Sequence, residues 1–146
     1  MSASTDVAEL VSAAEQARNG AVCPYSNFQV GAALVDETGR VWTGANVENA
    51  SYNLGLCAER VALYHALTHG GRGFSAIAIA TDTDEPTYPC GACRQALVEF
   101  CPNAEIILVT RAGIAATATV AELVPHAFDA RSLAGADTGG RADRDG

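Results

Sequence analysis

Cys57-Ala58-Glu59-Arg60 and, further along, Pro89-Cys90-Gly91-Ala92-Cys93 decide how this chain is read. Both stretches have the marks of a helix start: strong helix formers follow Cys57 until Gly70-Gly71 stops them, and Pro89 stands where the next helix begins. A thiolate in the first turn of a helix is favoured by the free N–H groups there and by the positive end of the dipole. Zinc takes four tetrahedral ligands, and a catalytic site leaves one of those positions to water. Cys57, Cys90 and Cys93 supply three. No fourth Cys or His is placed near either segment, since His65 and His69 fall two or more turns along the first helix. Glu59, two residues past the first thiol, can sit beside the water without binding metal. A closed zinc knot or a redox Cys-x-x-Cys would leave that carboxylate without a task.

The flanking pattern builds a sheet around these two helices, which are predicted over 57–69 and 91–100. In the first, Val61, Leu63, Tyr64 and Leu67 leave little polar surface, so it should be largely buried. Residues 76–80 alternate Ala and Ile, apolar on both faces as a central strand would be, and 105–110 read as a further strand. Only Arg111-Ala112-Gly113 then precede a Thr-rich run over 114–120. Three residues can close an antiparallel hairpin but cannot make a parallel crossover, which needs a dozen or more. Upstream, 29–35 and 41–48 read as a hairpin about the turn 37–39. A first helix runs from cap oxygens at Ser4, Thr5 and Asp6 to Asn19-Gly20. Residues 23–27, 49–56 and 81–88 are loops. Past Phe128 the hydrophobic pattern stops, so one domain over 1–128 and a disordered tail over 129–146 are expected, with no internal repeat.

At 146 residues and 49% hydrophobic content the chain is long enough for a core that needs no disulfides. Nowhere do ~20 apolar residues run together, as a membrane span requires. Residues 1–6 show neither the basic region nor the apolar core of a signal peptide, so a cytoplasmic location is expected. Five cysteines in such a chain argue for thiol chemistry; Cys23 and Cys101, not claimed by the metal, read as small buried hydrophobes. The net charge of −8, with 9 basic residues against 17 acidic ones, disfavours nucleic acid, whose phosphates must be met by Lys and Arg. A small uncharged substrate fits.

The two opening stretches, together with Phe28-Gln29-Val30-Gly31-Ala32-Ala33 and Asn46-Val47-Glu48-Asn49-Ala50-Ser51-Tyr52, closely resemble the small zinc-dependent cytidine deaminases over residues 25–128. The more usual signature has His where Cys57 stands. The resemblance implies a three-layer α/β/α sandwich with a mixed five-stranded sheet, the two ligand helices side by side. Its antiparallel last strand goes with free nucleosides rather than polynucleotides. It implies one Zn²⁺ per chain on Cys57, Cys90 and Cys93, and hydrolytic deamination of cytidine and 2′-deoxycytidine in pyrimidine salvage. Glu59 would carry the protons between water, ring N3 and the departing amine. Arg60, three residues past Cys57 on the same helical face, can draw charge off an over-rich thiolate set, and the family role agrees. On pattern alone Phe28 reads as core and Asn46 and Glu48 as strand-end caps. By resemblance Phe28 packs on the pyrimidine and Asn46 and Glu48 bind the ribose 3′-hydroxyl; backbone groups at Ala58 and Pro89-Cys90 are placed to hydrogen-bond the base edge. The family's small members are homotetramers, which would make Ala50, Tyr52 and Phe128 residues that reach into a neighbour's site.

Overall fold

The computed structural model describes residues 6–136. In chain order the elements are α1 (Val7–Arg18), β1 (Val30–Val35), β2 (Val41–Ala45), α2 (Ala58–Thr68), β3 (Ala76–Thr81), α3 (Gly91–Phe100), β4 (Glu105–Thr110), β5 (Gly113–Thr119), α4 (Val120–Leu123) and α5 (Ala130–Ala136). The five strands form one sheet in the order β2-β1-β3-β4-β5. Only β3 and β4 run parallel, joined by the α3 crossover, and the other neighbours are antiparallel. Because β3 has no polar side, it takes the middle of the sheet and is covered on both faces.

Alternate strand residues face two separate cores. Leu10 and Ala14 of α1 pack on Ala33, Val35, Ala78, Ala80, Ile107 and Val109. On the other face Ala62, Leu63, Ala66 and Leu97 of α2 and α3 pack on Ala32, Leu34, Ile77, Ile79, Ile106 and Leu108. The result is the expected three-layer α/β/α sandwich with a mixed sheet. The helices lie very close to it: a Cβ at Gly31 would meet Ala14 O of α1 at 2.1 Å, and one at Gly44 would meet Ala62 N of α2 at 2.4 Å. At both positions only glycine leaves room for the helix backbone.

The short last connection closes an antiparallel pair as expected, with Gly113 at φ 111 already in β5. Three expectations differ from what is observed. The second strand ends at Ala45 rather than 48. The Asn46 amide accepts from Val30 N and donates to Phe28 O, both at 2.8 Å, and Val47 then leaves the sheet to bridge Val22 and Leu56. Helix α2 is buried only along Ala58, Glu59, Ala62, Leu63 and Ala66, while Tyr64 and His65 face outward. Apolar side chains also stand off that stripe, at Tyr64 and Leu67, but only the one stripe meets the sheet. Finally, part of the run read as a structureless tail is helical, in α5. Asp129 starts it, its carboxylate accepting from Arg131 N at 2.9 Å and pairing with the Arg131 guanidinium at 2.7 Å. The remainder of that tail, 137–146, lies outside the described residues, as do Ser4 and Thr5 of the expected cap. Asp6 does cap α1, accepting from Glu9 N at 2.8 Å.

Candidate metal centre and active site

Two extended segments end in cysteines that become helix N-caps, Cys57 for α2 and Cys90 for α3, and Cys93 follows in the first turn of α3. The Sγ atoms of all three lie within 4.8 Å of one another, and those of Cys57 and Cys90 are 3.7 Å apart. A tetrahedral zinc with Zn–S bonds of ~2.3 Å sets its thiolates about 3.8 Å apart. Spacing and donor type both fit that ion. Cys93 is buried, Cys57 half-buried and Cys90 exposed, so the cradle opens on one side.

The thiols of Cys57 and Cys93 hold their protons unequally. Cys57 is lowered to about 5, chiefly because Cys93 donates to its sulfur; burial opposes this and Arg60 assists. Cys93 is pushed up, by that same hydrogen bond and by burial. A thiolate is therefore ready at Cys57, and metal binding must expel the Cys93 proton. Arg60 donates from Nη2 to Cys57 Sγ at 3.5 Å and also bonds Cys93. Its buried Nε–H has no partner among the described residues. Glu59 is only 5% exposed. Burial raises its carboxyl to about 7; its own backbone amide, Arg60 and Cys93 pull it down and Cys57 pushes it further up. A carboxyl in that range can both take and give a proton near neutrality.

Beside the thiolates lies a cavity of about 470 Å³, lined by Asn46, Glu48 and Tyr52 and meeting the metal cradle at Cys57 and Arg60. Such a volume suits a small-molecule ligand. Asn46 spends its amide oxygen and one N–H on the hairpin, leaving one N–H. Glu48 accepts from Tyr25 N at 3.0 Å, Ser26 N at 3.1 Å and the Ser26 hydroxyl. The Ser26 hydroxyl, the largest influence, holds its carboxyl below the usual range; burial opposes this and the Tyr25 and Ser26 amides assist.

The structure thus gathers Cys57, Cys90, Cys93, Glu59 and Arg60, with Asn46, Glu48 and Tyr52 round the adjoining cavity. Ala58 is buried in the first turn of α2. Phe28 is 41% exposed, its carbonyl tied to Asn46, and stands outside the cavity lining. Tyr52, assigned by resemblance to a neighbouring site, lines this chain's own cavity and is 83% exposed. Ala50 is exposed; Phe128 is exposed too, its carbonyl held by Gln95 Nε2 at 2.7 Å. Two contributors had no assigned role in the sequence. Ser26 clamps Glu48, from a loop whose only signal was its turn composition. Arg94 ties Pro89 O at 2.7 Å and Leu123 O at 3.1 Å, fixing the approach to Cys90.

Fold and site together define a class: an α/β sandwich with a thiolate cradle at two helix N-termini and a buried carboxyl beside it. Residues 4–110 match the family model described as the cytidine and deoxycytidylate deaminase zinc-binding region, and the chain belongs to this family. It is 50% identical over 125 residues to the cytidine deaminase of Halalkalibacterium halodurans, covering 85% of this chain and 95% of that protein. It is 43% identical over 129 residues to that of Sporosarcina psychrophila, covering 88% and 95%. The crystal structure of cytidine deaminase from Burkholderia pseudomallei superposes with a TM-score of 0.81 at 48% identity, covering 84% of this chain and 99% of that one.

Proposed function

We propose that the protein is a zinc-dependent cytidine deaminase, hydrolysing cytidine and 2′-deoxycytidine to the uracil nucleosides and ammonia. The observation that carries this reading is Glu59, a carboxyl 5% exposed, bonded to Cys93 and within the electrostatic reach of Arg60 at the edge of a three-thiol cradle. Cys57, Cys90 and Cys93 would hold one Zn²⁺ per chain, which when bound lowers the pKa of water toward ~7. Glu59 takes a proton from the attacking water and passes it to ring N3 while the water oxygen bonds C4. It then delivers the second proton to the exocyclic amine, the C4–N bond breaks and ammonia leaves, so one carboxyl acts as base and then acid. Arg60 spreads the thiolate charge and fixes Cys57.

Asn46, with its spare N–H, and Glu48, with lone pairs left after three donors, suit a sugar 3′-hydroxyl. A carboxylate there repels phosphate and so favours nucleoside over nucleotide. Phe28 and the Ala58 backbone would meet the base. The outward face of α2 at Tyr64, with exposed Tyr52 and Phe128, supports a homotetramer in which Ala50, Tyr52 and Phe128 complete neighbouring sites. All of this chemistry belongs to one domain over 1–128. No described helix is long and apolar enough to cross a membrane. A free-nucleoside substrate suits a role in pyrimidine salvage, which this reading places in the cytoplasm.

Ultraviolet assay of cytidine with and without a chelator tests the reading. Glu59→Gln should keep its zinc while turnover falls at least ~10²-fold. Near wild-type turnover in that variant would overturn the mechanism.

A further inference from the structure

Away from the thiolates, the C-terminal end of α2 carries a second cluster able to bind metal. His65 and His69 stand four residues apart on one face of the helix, with ring centres 4.6 Å apart and planes at 87°. Both are exposed. His69 Nδ1 lies 2.8 Å from the carbonyl of His65 and 3.3 Å from the Thr68 hydroxyl. A carbonyl only accepts, so Nδ1 carries the proton and Nε2 of His69 presents its lone pair outward. Metal-binding histidines are commonly oriented in this way, with the other ring nitrogen donating to a backbone carbonyl. Trp42 stands beside both rings, edge-to-face with His65 at 5.3 Å and tilted against His69 at 6.0 Å. Trp42 is itself held by Asp36, which accepts its indole N–H at 2.9 Å, and by the Arg40 guanidinium 3.9 Å over its ring.

We propose that His65 and His69 form a second metal site, for a borderline divalent cation such as Ni²⁺, Cu²⁺ or Zn²⁺, with water completing the coordination. An ion at ~2.0–2.1 Å from each imidazole needs the two nitrogens within ~4 Å of each other; the ring centres are 4.6 Å apart and both side chains are exposed, so binding turns them out of their edge-to-face pose to converge on one ion. Imidazole pairs select these metals over Mg²⁺ or Ca²⁺. The location adds to the attraction, because His65 lies in the last turn and His69 at the C-cap, where carbonyls and the negative dipole end favour a cation. The net charge of −8 acts in the same direction. This site shares no residue with the proposed catalytic centre and stands whether or not that centre deaminates nucleosides.

Trp42 is the sole tryptophan, so its emission reports on this corner of the molecule alone. Zinc-loaded protein, freed of excess metal, is titrated with Ni²⁺ at mildly alkaline pH while its zinc content is followed. Quenching should saturate at one Ni²⁺ per chain with the original zinc retained, and His65→Gln and His69→Gln should each weaken it at least about tenfold. Gln is a good helix former, and unchanged circular dichroism establishes that both variants fold. Cu²⁺ electron paramagnetic resonance should show two imidazole nitrogens in the wild type and one in each variant. The proposal is overturned by quenching that persists in the double variant, by the absence of a saturable phase, or by quenching that tracks loss of zinc from the thiolates.

Discussion

Gly44→Ala asks whether α2 is seated on the sheet by direct backbone contact. Gly44 lies in β2 opposite Ala32, and an added Cβ would fall 2.4 Å from Ala62 N, 2.9 Å from Ala58 O and 3.0 Å from Ala62 Cα. Ordinary contact begins at 3.4 Å, so the helix must retreat by about 1 Å; these are backbone atoms and no rotamer can absorb the clash. Overpacking of this kind costs ~1–3 kcal/mol, which lowers Tm by several degrees. The same displacement acts on the chemistry, because Cys57, Glu59 and Arg60 move with α2 while Cys90 and Cys93 stay with α3. A functional metal site holds its distances to within ~0.2 Å, and misplacement by about 1 Å can cost 10²-fold in rate. Gly31→Ala is the control: its Cβ would strike α1 at Ala14 O, 2.1 Å away, and α1 bears no ligand. Thermal melts, zinc content and kcat at saturating cytidine should show both variants destabilised, but only Gly44→Ala losing zinc or rate while still folded. A Gly44→Ala protein with wild-type Tm and full zinc would refute the seating.

Arg60→Gln should shift the acid limb of the kcat profile to higher pH while zinc is retained, since the cation that bonds Cys57 and Cys93 is gone; a superimposable profile removes Arg60 from the chemistry. Asp36→Asn should destabilise the fold by about 1–3 kcal/mol at neutral pH. Burial alone would raise the Asp36 carboxyl, but donors at Thr38, Trp42 and Arg40 outweigh it and hold the pKa below 3.8. A depressed carboxyl stabilises the fold above its unfolded pKa, so in urea melts the gap from wild type should close only as pH falls below 3.8; a gap independent of pH counts against this. Ser26→Ala should raise KM for cytidine about tenfold with kcat little changed, by loosening Glu48. With 3′-deoxycytidine the two proteins should have the same KM, and an equal loss on both substrates would rule out a role for Ser26 in reading the 3′-hydroxyl.

Where a pattern repeats or a length sets a hard limit, the sequence could be read directly. The two-sided apolar run of β3 required a central strand, and three residues between β4 and β5 ruled out a parallel crossover. The pattern over 41–48 predicts too long a second strand, because nothing in it signals that the Asn46 side chain takes over the pairing with Val30 and releases Val47. Composition alone predicts a buried α2. Burial instead follows which stripe meets the sheet, and that depends on Gly44 letting the helix down onto β2. The start of α5 depends on local bonds from Asp129, which composition does not encode.

The site divides along the same line. Its metal half is local: a cap cysteine followed two positions later by Glu59, and two cysteines one turn apart, place their functional atoms within a single helical turn, so spacing almost specifies the geometry. The cavity half is assembled across 22 residues of separation, as when Ser26 clamps Glu48, and rests on contacts between loops that carry no periodicity. Hence the reaction type could be read from two short stretches, and Asn46 and Glu48 could be named by resemblance, whereas the Ser26 clamp on Glu48 needed the fold. This asymmetry also fits the chemistry. On the proposed mechanism, the atoms that would move protons tolerate little displacement and stand at helix caps; those that would choose the substrate sit on a hairpin end and a loop, where exchanging one side chain would alter recognition without unseating the three thiols.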